Sequence, residues 1–195
     1  MDAQQPDEAL MLLYGAGDTG AFEMLYHRHK GGLYRYMQRN IGSILDADEL
    51  FQEVWAKVIN AASGYQVSAK FTTWLYTIAH NCIIDSIRKH QHAPTALTVH
   101  AEGEESEINE LASERNTDNP LINASVGQQV DRMLHFLKAL PMDQREVFLL
   151  KHEAGFSVAE IAGIIGVGEE TAKTRLRYGM KKLRTAMVND EKGEA

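Results

Sequence analysis

Six basic side chains and no acid stand between Thr171 and Asn189: Lys173, Arg175, Arg177, Lys181, Lys182 and Arg184. On one helix such residues can neutralise phosphates, and an arginine can read guanine through two parallel hydrogen bonds. Just before them runs SVAEIAGIIGVGEE, residues 157–170, which has the parts a helix-turn-helix needs. Ser157 and Glu160 have the spacing of a capping box. Ala162 is small enough for a second helix to cross closely, and Gly166 tolerates the left-handed backbone of a tight turn. Ile161, Ile165, Val167, Ala172 and Leu176 supply a shared apolar seam. The second helix then offers Glu169, Glu170, Thr171, Lys173, Thr174, Arg175 and Arg177 to base edges in the major groove. Lys181, Lys182 and Arg184 lie further along, toward phosphate. Glu169 and Glu170 can accept from cytosine amino groups or simply complement the helix dipole. The plainer alternative is a helical hairpin with a solvated basic face. Cap, small residue, glycine turn and basic second helix agree with one another, which favours DNA contact.

A second constellation sits around the polar stretch GYQVSAK, residues 64–70. Tyr65, Phe71, Trp74 and Tyr76 are close to it in sequence, and aromatic faces beside a polar loop suit an unstacked base. Thr73 and Lys70 flank the loop. Thr77 and Asn81 follow Trp74 at helical spacing, so the Asn81 amide could read a base edge, and Arg88 and Lys89 could steady a backbone. The same Trp74, Leu75 and Ile78 spacing also fits an ordinary core.

Enzyme chemistry finds no such support. His27 and His29, like His90 and His92, are two residues apart and face different ways on a helix. With Cys82 the only cysteine, no zinc ligand set is evident, and the thiol has no paired base to make it a nucleophile. No cofactor and no metal are expected. Cys82 reads as core.

The elements that must position these residues are helical. A long helix is predicted from about Asp18 to Asn40, with Phe22, Leu25, Tyr26, His29, Leu33, Tyr36 and Met37 on one face and Gly31-Gly32 as a weak point. A second begins at Asp46, which with Glu49 has capping-box spacing. Leu50, Phe51, Val54, Val58 and Ile59 form its stripe, and Gly64 ends it. A third runs from Phe71 to His90. Periodicity is then lost from Gln91 to Asn119, where Glu102, Glu104, Glu105, Glu107, Glu110, Glu114 and Asp118 face one base, Arg115. Such a span cannot offset its ordering entropy by burial and reads as a linker. The one strand candidate is Ala96 to His100. Four helical segments follow: Ala124 to Leu140, Asp143 to Glu153 with an Asp143/Glu146 box, Ser157 to Gly166, and Glu169 to Met187. The residues from Asn189 read as a frayed tail. The expected class is all-α, with domains at 1–90 and 120–188, a linker at 91–119 and a tail at 189–195.

Bulk properties fit two small domains. The chain has 195 residues, 44% of them hydrophobic, and a formal net charge of -7. That charge disfavours a free-standing DNA binder, so the basic end matters more than the sum. The acidic start MDAQQPDEAL lacks the pattern of a signal peptide, and no apolar run approaches the ~20 residues of a membrane helix. A cytoplasmic location is expected, with no membrane insertion.

Taken in order, the pieces resemble the extracytoplasmic-function sigma factors of bacterial RNA polymerase. AFEMLYHRHKGGLYRYMQR (Ala21 to Arg39), DADELFQEVWAKV (Asp46 to Val58) and FTTWLYTIAHNCIIDSIRK (Phe71 to Lys89) are similar to that family's region two. Leu140 to Arg184 is similar to its region four. The resemblance implies a monomer within holoenzyme, with core RNA polymerase, promoter DNA and an anti-sigma factor as partners. It implies that Asp46, Asp48, Glu49, Leu50, Gln52 and Glu53 dock on core polymerase. It places Tyr65, Lys70, Phe71, Thr73, Trp74, Thr77, Asn81 and Arg88 at the melted minus-ten element. It assigns Glu169, Glu170, Thr171, Lys173, Thr174, Arg175, Arg177 and Lys181 to the minus-thirty-five element. The linker would thread toward the active-site and RNA-exit path. Two departures stand out: Gly168-Glu169-Glu170 ahead of Thr171, and a loop without the proline often found there. The alternative is a free-standing helix-turn-helix regulator.

Overall fold

The computed structural model describes residues 5–41, 44–92, 130 and 132–193. Regular structure among these residues is wholly helical, as the periodicities predict. Helix α1 spans Asp7–Gly15, α2 Thr19–Ile41, α3 Ile44–Ala61 and α4 Phe71–His92, with a 3-10 turn at Ala62–Gly64 between α3 and α4. Residues 132–138 are helical, and α5 (Met142–His152), α6 (Val158–Ile164) and α7 (Glu169–Gly193) follow. The chain divides into two compact units, Met1–Ala112 and Ser113–Ala195. Most of the expected linker, and the strand candidate Ala96 to His100, lie outside the described residues.

In the first unit, Asp18 caps α2 by accepting from the Gly20 and Ala21 amides at 3.0 and 3.3 Å. This satisfies two of the donors a helix start leaves open. Gly31-Gly32 does not break α2. A Cβ on Gly32 would lie 3.3 Å from the Tyr76 hydroxyl, so the bare backbone lets α4 pack close. Leu25, Leu33, Tyr34, Tyr36 and Met37 meet Phe51, Val54, Trp55 and Val58 of α3 and Leu75, Ala79 and Ile83 of α4 in a buried core. Phe22 and Tyr26 meet Trp55 edge-to-face at ring distances of 5.6 and 5.0 Å, contacts worth about 0.5–1.5 kcal/mol each beyond their burial.

Three expectations change here. Helix α3 begins at Ile44, so Asp46 lies inside its first turn instead of capping it. Ile59 is 44% exposed, and Trp55 fills the buried stripe in its place. Helix α1 was not expected at all. It buries Leu10 and Met11 and leaves Leu12 and Leu13 outward, so its unbroken apolar run carries no helical period.

In the second unit, Pro141 precedes α5 and no side chain caps it, so the Asp143/Glu146 box does not form. Glu146 is buried instead, and Asp143 meets Arg175. The Ser157 box does form. The Ser157 hydroxyl accepts from the Glu160 amide at 3.2 Å, and the Glu160 carboxylate accepts from the Ser157 amide at 2.9 Å. Helix α6 ends in a Schellman turn: Gly166 has φ 67 and the Val167 amide donates to the Ala162 carbonyl at 3.0 Å. Helix α7 runs on to Gly193, through the expected tail, with Asp190 paired to Arg132 at 3.4 Å. Its Gly179 lies against Gln144 of α5, where a Cβ would come within 3.2 Å of the carbonyl oxygen.

Candidate nucleic-acid interface

The helix-turn-helix presents α7 to solvent. Glu169, Glu170, Thr171, Lys173, Arg177 and Lys181 are exposed, and Thr174 is half-buried. Lys173 reaches back to Glu170 at 2.9 Å, and that hydrogen bond raises the lysine's pKa. Arg175 faces inward, with its Nε 3.2 Å from the Asp143 carboxylate. A shallow groove runs along α7 between Lys173, Leu176, Arg177, Met180, Lys181 and Arg184. Met180, 39% exposed, and the neighbouring Tyr178, 48% exposed, had not been expected there. The signal for Met180 was available: it follows Leu176 by four residues within a basic run.

In the first unit, Tyr65, Phe71 and Trp74 form one cluster. The Tyr65 and Trp74 rings lie 5.1 Å apart and the Phe71 and Trp74 rings 5.8 Å. Trp74 is half-buried. Phe71 is wholly buried, so its ring cannot reach a ligand and instead supports the other two. Burial, then the nearby Glu8 and Asp7 charges, raise the Tyr65 phenol's pKa. Trp74, Thr77, Asn81 and Arg88 recur at three, four and seven residues, which sets them along one stripe of α4. Asn81 and Arg88 are exposed, Thr73 and Thr77 are half-buried, and the Thr77 hydroxyl donates to the Thr73 carbonyl at 2.8 Å. Lys70 is exposed at the loop's end.

The expected docking residues on α3 split by face. Glu49 and Gln52 point out, and Glu53 pairs with Lys57 at 2.8 Å. Leu50 is buried at 5% exposure and belongs to the core. Asp48 turns toward Tyr34. Burial first and Asp48 second push the Tyr34 phenol up to about 12. One Asp48 oxygen and the Tyr34 hydroxyl sit buried without a well-formed hydrogen bond among the described residues.

Cys82 is buried, with the Lys57 ammonium 3.2 Å from its sulfur, and burial pushes its thiol up. Among the described residues no His, Cys, Asp and Glu group could hold a metal ion, and no helix is long and apolar enough to cross a membrane.

Two family models match the chain. Sigma-70 region 2 covers residues 25–93, and Sigma-70, region 4 covers residues 131–183. The chain belongs to the sigma-70 family, in its extracytoplasmic-function branch. This is not an enzyme family. The chain is 28% identical over 170 residues to the extracytoplasmic-function sigma factor SigW of Bacillus subtilis, spanning 86% of this chain and 89% of that one. It is 28% identical over 171 residues to the sigma factor CarQ of Myxococcus xanthus, spanning 86% and 90%. Among solved structures its fold resembles CnrH, seen with the cytosolic domain of CnrY, at a TM-score of 0.67 and 21% identity over 97% of this chain and 99% of that one. It also resembles the sigma factor RpoE of Bartonella quintana, seen with the anti-sigma factor NepR, at a TM-score of 0.63 and 18% identity over 86% and 96%. The aromatic loop and α3 fall within sigma region two, and the helix-turn-helix and all of the basic groove but Arg184 fall within region four. Helix α1 lies ahead of both matched stretches.

Proposed function

We propose that this sigma factor binds core RNA polymerase in the cytoplasm, carries it to promoters bearing two spaced elements, and holds the melted minus-ten strand open. Region four meets the duplex minus-thirty-five element with the groove of α7, where Thr171, Lys173 and Thr174 face bases and Arg177 and Lys181 face phosphate. Glu169 and Glu170 lie at the same helix start. Region two meets the opened strand with Tyr65, Lys70 and Trp74 at the loop and Thr73, Thr77, Asn81 and Arg88 along α4. Asp46, Glu49, Gln52 and Glu53 on the outer side of α3 dock on core polymerase. The factor sits as a monomer in holoenzyme, and an anti-sigma factor covers these faces when it is silent.

One observation carries the reading. A single chain carries both a Tyr65–Trp74 ring cluster beside a polar loop, suited to unstacked bases, and a capped helix-turn-helix, suited to duplex. The net charge of -7 disfavours DNA binding by the chain alone. Size-exclusion chromatography with core polymerase tests it. Co-elution with core, and no shift of duplex DNA without core, is the expected result. A dimer that shifts duplex DNA by itself supports the free-standing regulator.

A further inference from the structure

Helix α1 touches both ends of the loop that joins α3 to α4. At one end, the Glu8 carboxylate accepts from the Phe71 amide at 2.7 Å, satisfying a donor in the first turn of α4. At the other end, Gly15 lies directly on the 3-10 turn, where a Cβ would come within 2.5 Å of the Ala62 carbonyl oxygen. Glu8 and Gly15 are seven residues apart on one helix, so a rigid rod of roughly 10 Å spans the loop's two anchors. The start of α1 is itself tied to α2. Asp7 takes the Arg28 guanidinium at 2.7 Å and the His29 ring at 2.7 Å, and His29 packs on Phe71 at a ring distance of 5.5 Å.

We infer that α1 is a splint for the minus-ten contact, and that Glu8 and Gly15 are its positioning residues. Neither touches the strand. By fixing Phe71 and Ala62 they fix the separation of the loop ends and so the placement of Tyr65 against Trp74. A loop of this kind loses affinity when its ends are free, because binding must then order it. The inference rests on the sigma reading and adds an element that lies ahead of the matched region two.

The test uses holoenzyme and DNA from promoters found by start-site mapping with the wild type. The DNA is pre-opened across the minus-ten segment by a mismatch bubble and cut to remove the minus-thirty-five duplex. Glu8→Ala weakens binding to this bubble by about tenfold, the scale of one charge-assisted hydrogen bond, and Gly15→Ala weakens it severalfold, because its Cβ pushes α1 off the Ala62 carbonyl. Glu8→Gln, which keeps an acceptor oxygen, stays within about twofold of wild type, because an amide oxygen can still take the Phe71 amide. Affinity for core polymerase is unchanged in all three. Wild-type bubble affinity in Glu8→Ala and Gly15→Ala overturns the splint. A parallel loss of core affinity also overturns it, since α1 would then merely hold the unit folded. A wild-type holoenzyme that does not bind the bubble overturns the sigma reading, and the splint with it.

Discussion

Arg175 and Asp143 face each other across α7 and α5, with Nε and Oδ2 3.2 Å apart. The pair turns an expected DNA-reading arginine into a brace between the two helices. Half-exposed pairs of this kind contribute modestly, so Arg175→Ala should lower unfolding free energy by about 0.5–1 kcal/mol and leave promoter choice unchanged. Chemical denaturation and transcription from a fixed promoter set check both halves.

Arg177 and Lys181 are two of the exposed cations of the same helix. Arg177→Ala and Lys181→Ala should each weaken holoenzyme binding to duplex promoter DNA and reduce the slope of log affinity against log salt by about 1. A salt titration of promoter binding reads that slope. An unchanged slope would remove either residue from the phosphate face.

On α3 the two faces should separate cleanly. Gln52→Ala should weaken core polymerase binding by about fivefold or more, the scale of an interface contact, with no change in melting temperature. Asp48→Ala should instead leave core binding unchanged, because its carboxylate turns inward toward the buried Tyr34 hydroxyl. Thermal melting and a core-binding titration on both variants separate docking from support.

Trp74 and Phe71 divide in the same way. Trp74→Ala should leave the chain folded and lower open-complex formation by about tenfold or more, as expected for a lost base-stacking platform. Phe71→Ala removes a wholly buried ring and should cost about 3–5 kcal/mol, enough to unfold region two in part. Permanganate footprinting of melted promoter thymines, read beside circular dichroism, distinguishes them.

The sequence was most informative where local chemistry and tertiary packing agree. Ser157 and Glu160, Ala162 and Gly166 form the turn their spacing predicts, because a capping box and a left-handed glycine are satisfied within a few residues. It was least informative where distant contacts decide. Asp143 has the spacing of a cap, but Pro141 takes that position and Arg175 claims the carboxylate. Leu50 and Phe71 sit inside motifs assigned to partners, yet their apolar side chains are drawn into the core. Helix α1 was hidden because only Leu10 and Met11 of its apolar run are buried, and its anchors, Arg28, His29 and Phe71, lie far along the chain.

Acid should loosen α1. Burial pulls the Asp7 pKa upward, but the hydrogen bonds and charges of His29 and Arg28 outweigh it and hold the carboxyl below its ordinary value of 3.8. Stability from this depressed pKa is present above 3.8 and is lost as pH falls through the folded value. Asp7→Asn should therefore cost about 1–2 kcal/mol at neutral pH, as for a hydrogen bond to a charged group. The gap should close as pH falls below the folded value of the Asp7 carboxyl. Denaturation curves of both proteins from pH 7 to pH 2.5 check the sign.

The most direct measurement of the central claim is transcription in vitro. Purified core polymerase is supplied with fragmented genomic DNA, with and without this protein, and the RNA 5′ ends are mapped. The account predicts new starts only when the protein is present, at sites sharing two spaced upstream elements. The same starts with core alone, or no new starts although the protein binds core, would contradict it.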